Sequence, residues 1–241
     1  MTMKLIKYKK LEGRLKLITG LHIGGSKEEI KIGETDNPVI KHPIDNFPYI
    51  PGSSLKGKIR TLLEWFLPGK VDAKGNVHGC TNPKCPVCRL FGTTEKETTA
   101  GPGRALFRDC ELDDDSKEKL KELKNEKGLL YVEEKYENVI DRTTGTVSKK
   151  GGGPRQMERV PAGMVFNFEM DYRIFDMGGD NGKTDEDYFY YIKKGLQLLE
   201  SDALGGSGSR GYGKIEFEGL RDEQGTPIDL KNLVEPKDLH A

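Results

Sequence analysis

The chain has 241 residues, enough for one large domain or one domain with substantial insertions, and its 34% apolar share can build a core. The formal net charge is zero, which taken alone argues against a nucleic-acid binder, since such domains are usually basic. No run of eighteen apolar residues occurs and the N-terminal MTMKLIKYKK lacks the apolar core of a secretion signal, so the expected setting is soluble and cytoplasmic.

Charge is segregated along the chain. Residues 1–70 hold thirteen Lys/Arg against seven Asp/Glu and residues 141–160 hold five against two, while residues 111–137 hold ten acids against six bases. Opposite fields on different faces are one expectation, and ordinary solvated surface is the other.

LEGRLKLITG alternates apolar and polar residues and predicts a strand from about Leu5 to Gly20. GSSLKGKIRTLLEWFLPG changes period: Leu55, Ile59, Leu62, Leu63 and Phe66 recur at helical spacing, with Ser53 as the expected cap and Pro68 and Gly69 as the stop. GRALFRDCEL, residues 103–112, predicts a second strand and GMVFNFEMDYRIF, residues 163–175, a third. DEDYFYYIKKGLQLLE is helical, with Phe189, Ile192, Leu196 and Leu199 in one stripe, and GYGKIEFEGL supplies the last strand. The order βαββαβ is that of an α+β, ferredoxin-like or RRM-like core in a single domain over 1–241. Three insertions interrupt it, at 21–52, 69–101 and 113–162, and insertions are where specificity usually resides.

His78, Cys80, Cys85 and Cys88 form H-x-C-x-x-x-x-C-x-x-C in the second insertion. Four such ligands can close a tetrahedral Zn²⁺ site with no position left for catalytic water, so the expected role is structural. Cys110, on a predicted strand, reads as a small buried side chain.

LGGSGSRGYGK, Leu204 to Lys214, carries enough glycine to bend around an anion, but its lysine precedes the strand pattern IEFEGL and not the helix of a nucleotide-binding P-loop. Phosphate contact and a plain connector both remain open at this point. Ser54, Lys56, Lys58 and Arg60 sit in the first turns of the first helix, where exposed N–H groups attract phosphate; three solvated charges are the alternative. His22 reads either as an RNA contact or as a satisfied loop histidine. Asp36 in GETDNP either caps its own turn or, beside RNA, serves cleavage as a ligand for Mg²⁺. Arg142, Lys149, Lys150, Arg155 and Arg159 flank the tip of the third insertion, which reads as a projecting hairpin that wedges between bases or as a surface loop.

LHIGGS, IGETDNPVIK, PYIPGSSLKGKIR, ENVIDRTTG, PRQMERV and LGGSGSRGYGK follow in one order. Together they resemble the repeated backbone subunit of the type III-A CRISPR effector, the Csm complex, within the RAMP superfamily. The resemblance implies a palm with a thumb hairpin, copies wound in a helical filament along a guide crRNA, other subunits of the effector as partners, and endoribonuclease cleavage of target RNA at regular intervals. It implies Asp36 as the catalytic aspartate of a divalent-metal-dependent reaction. It implies guide contacts at His22, at Lys56 to Arg60, at Arg142, and along the glycine-rich loop with Gly206, Ser207, Ser209, Arg210 and Gly211. A zinc loop occurs in some members. A lysine- and arginine-bearing sheet platform is then expected to grip the ribose-phosphate strand, with base pairing alone choosing the target. A non-catalytic RNA scaffold, and a free-standing nucleotide-dependent enzyme, are the competing accounts.

Overall fold

The computed structural model describes residues 3–25, 37–128, 131–148, 155–236 and 239. Asp36, Lys149 and Lys150 lie outside them. In chain order the elements are β1 (Met3–Leu17), β2 (Tyr49–Ile50), α1 (Gly52–Phe66), α2 (Pro86–Phe91), β3 (Ala105–Phe107), β4 (Cys110–Glu111), α3 (Asp114–Lys127), β5 (Glu133–Glu137), β6 (Arg155–Arg159), β7 (Val165–Met177), α4 (Lys183–Ser201) and β8 (Ile215–Asp222).

β3, β7, β1 and β8 lie side by side in that order, every neighbouring pair antiparallel. With α1 after β1 and α4 after β7, this is the expected ferredoxin-like topology. Alternation decides which face is covered: Leu11, Leu15 and Leu17 of β1 and Phe166, Phe168, Met170 and Tyr172 of β7 are buried. Leu55, Ile59 and Leu63 of α1, with Ile192, Leu196 and Leu199 of α4, are buried in the same core. Gly195 brings the two helices close, since a side chain there would meet the methyl groups of Ile59 and Leu63.

Several expectations are corrected. Ser53 does not cap α1: Pro51 occupies that position, and the Gly52 N–H donates to Asp109 Oδ1 at 2.7 Å. Phe66, at the end of the apolar stripe, is 46% exposed, with Lys194 Nζ of α4 4.9 Å from its ring centroid. The single strand expected at 103–112 is two short ones, β3 in the main sheet and β4 paired with β2, parted where Arg108 turns outward and Asp109 turns back to α1. The third insertion begins with α3, whose Asp113 side chain accepts from Ser116 N–H at 2.9 Å as an N-cap. Low apolar content concealed that helix from periodicity. The expected hairpin follows as the antiparallel ribbon β5–β6.

The open face of the main sheet is not the cationic platform expected. Lys10 pairs with Glu169 at 3.0 Å and Glu12 at 3.2 Å, Lys16 with Glu218 at 2.9 Å, and Arg108 with Asp171. Carboxylates on the same strand or the neighbouring ones neutralise these cations where they stand.

Candidate nucleic-acid interface and metal cluster

Topology gathers the proposed RNA residues at one end of the sheet. β1 finishes there at Leu17, α1 starts at Gly52, α4 finishes at Ser201 and β8 starts at Ile215. The glycine-rich loop joins the last two. Leu204 N–H donates to Gly213 O and Gly213 N–H donates to Gly20 O, both at 2.9 Å, while Gly206 N–H donates to His22 O at 2.9 Å. Gly205 and Gly213 have φ of 73° and 71°, and a side chain on either would collide with the His22 or the Leu204 carbonyl. Only glycine permits that approach. Between them, Ser207 takes φ 60° and Gly208–Arg210 form a single 3-10 turn closed by Gly211 at φ 83°.

The loop leans on the ribbon. Arg210 Nη1 is 2.6 Å from Glu137 Oε2 of β5, with the arginine side chain 54% exposed. Tyr212 is buried, its ring centroid 4.6 Å from Lys135 Nζ and 5.0 Å from the Arg159 guanidinium. Burial and the Glu137 carboxylate raise its pKa.

β6 also holds both stems of the segment that carries Asp36. Leu21 and Val160 exchange backbone hydrogen bonds at 3.0 and 2.8 Å, and Ile40 N–H donates to Ile23 O at 2.9 Å. Glu158 N–H donates to Asn37 O at 3.2 Å, and its carboxylate accepts from Val39 N–H and Lys41 Nζ, each at 3.0 Å. His22 Nδ1 is 2.8 Å from Glu158 O. A carbonyl only accepts, so Nδ1 bears the proton and Nε2 is the nitrogen left for another partner. Asn37, the residue after Asp36, reaches Gln156 O at 3.3 Å.

The basic residues of α1 diverge. Ser54 and Lys56 are partly exposed on the first turns, whereas Lys58 pairs with Asp202 at 3.1 Å. Arg60 faces away from this end. Its guanidinium binds Glu64 Oε1 at 2.9 Å and His78 O at 2.6 Å, fastening α1 to the cysteine loop. Arg142 is exposed in the turn that follows β5, and Arg155 is exposed on β6.

His78, Cys80, Cys85 and Cys88 bring four ligand atoms within 4.8 Å of one another. Cys85 Sγ is 3.3 Å from His78 Nε2, and Cys80 Sγ is 3.7 Å from Cys88 Sγ. α2 supplies the local geometry, with Cys85 at its N-cap and Cys88 within it. Hydrogen bonding with Cys88 draws the Cys85 thiol down to about 4, while Cys85 and burial push the Cys88 thiol up. A divalent cation held there would favour the thiolate form of all three cysteines. The cluster can hold a metal ion. Cys110 is buried as expected, and burial pushes its thiol up to about 12.

Sequence reasoning missed the buried polar centre beside this cluster. Arg89 of α2 and Arg104 both reach Asp185 of α4, at 2.6 and 3.0 Å, and all three are buried. Asp185 had the look of an ordinary acid in the first turn of a helix; nothing local marks its partners, 81 and 96 residues away.

Residues 14–216 match the family model described as the RAMP superfamily. A protein of Methanocaldococcus jannaschii called CRISPR system Cms endoribonuclease Csm3 is 43% identical over 95% of this chain and 82% of its own length. A protein of the same name from Streptococcus thermophilus is 44% identical over 88% of each chain. Among solved structures, Csm3 of Methanopyrus kandleri superposes with a TM-score of 0.58 at 27% identity over 87% of this chain and 75% of its own. A Csm3–Csm4 subcomplex of the type III-A CRISPR-Cas interference complex gives 0.55 at 30% identity over 92% and 80%. The four-stranded antiparallel sheet with its helices is the fold of a CRISPR RAMP protein. The chain belongs to the RAMP superfamily and, within it, to the Csm3 family of CRISPR endoribonucleases.

Proposed function

We propose that this chain binds a guide crRNA as a repeated subunit of a type III-A effector in the prokaryotic cytoplasm, together with further copies of itself and other subunits, and cuts the paired target RNA at Asp36. The observation that carries this reading is convergence. The glycine-rich loop, the stems flanking Asp36, the start of α1 and the β5–β6 ribbon meet at one end of the sheet. Arg210 contacts Glu137, which pairs across the ribbon with Arg155, and the next residue, Gln156, accepts from Asn37.

In this reading Gly206, Ser207, Ser209, Arg210 and Gly211, with Ser54, Lys56, Lys58 and His22, contact the guide backbone. Arg210, 54% exposed beside a largely covered Glu137, exchanges that carboxylate for a phosphate, a charge-for-charge replacement that the arginine's exposure permits. Arg60, spent on Glu64 and His78, drops from the proposed contact set. Tyr136, Ile140 and Val147 are 59%, 41% and 49% exposed on the third insertion and form the apolar wedge, with Arg142 and Arg155 beside phosphates. That insertion is the thumb, residues 21–52 the cleavage segment and residues 69–101 the metal loop of one domain.

Three thiols and an imidazole select Zn²⁺ and leave no open position, so the metal loop serves structure. Cleavage needs the target 2′-oxygen in line with the phosphorus and the leaving 5′-oxygen. A divalent cation such as Mg²⁺, held by Asp36, would supply charge stabilisation there. The paired strand would supply alignment, and β6 holds the stems on either side of the segment that carries Asp36.

Asp36→Ala tests the reading. In the assembled complex with Mg²⁺, the regularly spaced products fall by about 10²- to 10⁴-fold while guide and target binding persist. Undiminished cutting would remove Asp36 from the mechanism and leave an RNA scaffold.

A further inference from the structure

A cleft of about 670 Å³ lies between the end of α4, the start of β8 and the C-terminal segment. Its wall is Ile18, Leu198 and Ile215, and its rim carries Lys194, Lys214 and Lys231 with Glu200 and Glu216. Neutral oxygens hold two of these ammonium groups: Lys194 Nζ is 2.7 Å from Gln197 Oε1, and Lys214 Nζ donates to the Glu200 carbonyl. Among the described residues, none of the three lysines is paired with a carboxylate. Glu200 on the same rim accepts the Phe217 N–H at 2.7 Å through one carboxylate oxygen. Three lysines against Glu200 and Glu216 leave the rim with a net positive charge of one.

We propose that this cleft is a second nucleotide subsite, receiving one unpaired residue of the RNA strand that the glycine-rich loop binds. This rests on the RNA-binding reading above. Continuity with that loop selects the occupant. Ser201, at the end of α4, precedes the loop, Lys214 closes it, and both line the cleft, so the cleft adjoins both stems of the loop. The volume falls within the range of roughly 300–1,000 Å³ that holds compact ligands. Lysines on flexible stems bind phosphate as point charges, and an apolar wall accepts the face of any base. Exposed Ile18, at 43%, then gains a cover. The subsite reads no sequence.

The test is equilibrium binding of the full chain to a single-stranded guide oligonucleotide across a salt series, with 4-thiouridine crosslinking to locate contacts. Lys194→Ala with Lys231→Ala should weaken binding about tenfold and flatten the plot of log affinity against log salt by about 1.4, the value for two lost phosphate contacts on a single strand. Ser201→Trp fills the cleft without changing charge and should abolish crosslinks to the segment around Leu198 while leaving those to the glycine-rich loop. Unchanged affinity and slope in the double variant would overturn the subsite, as would loss of subunit association with RNA affinity intact, which marks a protein-docking cleft. Arg210→Ala with Lys56→Ala separates the two readings: if these too leave RNA affinity unchanged, the RNA-binding reading itself fails.

Discussion

At the end of the sheet where α1 begins, loops are held by backbone hydrogen bonds and by glycines that let chain segments touch; at the end where α4 begins, they are held by side-chain charge and thiol chemistry. The first arrangement leaves Arg210, Lys56 and the backbone of the glycine-rich loop facing outward. The second turns its polar groups inward, through the His78 cluster, the Arg60–Glu64 pair and the Arg89–Asp185–Arg104 centre. A surface that must meet phosphates of any sequence keeps cations within reach of solvent, as Arg210 stays 54% exposed beside Glu137. A small cysteine loop with little core of its own spends its polar groups on itself.

The comparison breaks most visibly at the metal loop. Cys85→Ser should abolish stoichiometric zinc and lower stability by about 4 kcal/mol, the range for loss of a structural metal. For a chain of this size that is about 8–16 °C in melting temperature, read by calorimetry beside metal analysis. Guide affinity of the protein that remains folded should hold, and a parallel collapse of affinity would join the two ends functionally.

Asp185→Ala strands two buried guanidinium groups and should destabilise by about 3–5 kcal/mol in denaturant unfolding. Burial lowers the pKa of Arg104, so removing its carboxylate leaves a charge the interior already disfavours. At the other end, Gly213→Ala strains the backbone and meets the Leu204 carbonyl. It should lose about 2–4 kcal/mol and weaken RNA binding as well. Arg210→Ala has the smallest effect on stability, about 1 kcal/mol, because the guanidinium is 54% exposed although its Glu137 partner is only 15% exposed. It should nonetheless flatten the salt dependence of guide binding by about 0.7.

The core topology was legible because period and punctuation agree along β1, α1, β7, α4 and β8. The cysteine cluster was legible because its four ligands fall within eleven residues. What could not be read is what depends on distant partners. The Asp109 cap of α1, the Asp185 centre and the attachment of Arg60 to His78 all join residues whose neighbours in sequence are unremarkable. The charged sheet face misled for a related reason, since its lysines count as positive until their cross-strand acids are placed. Asp36 stands on its motif and on the anchoring of Asn37.

Amide hydrogen exchange of the full chain with and without a guide oligonucleotide tests most directly whether the two ends divide the work. The account predicts slowed exchange at residues 22–25, 52–58 and 204–214 on binding, with residues 78–88 unchanged. Protection centred on the cysteine loop, or on the open face of the sheet, would contradict it.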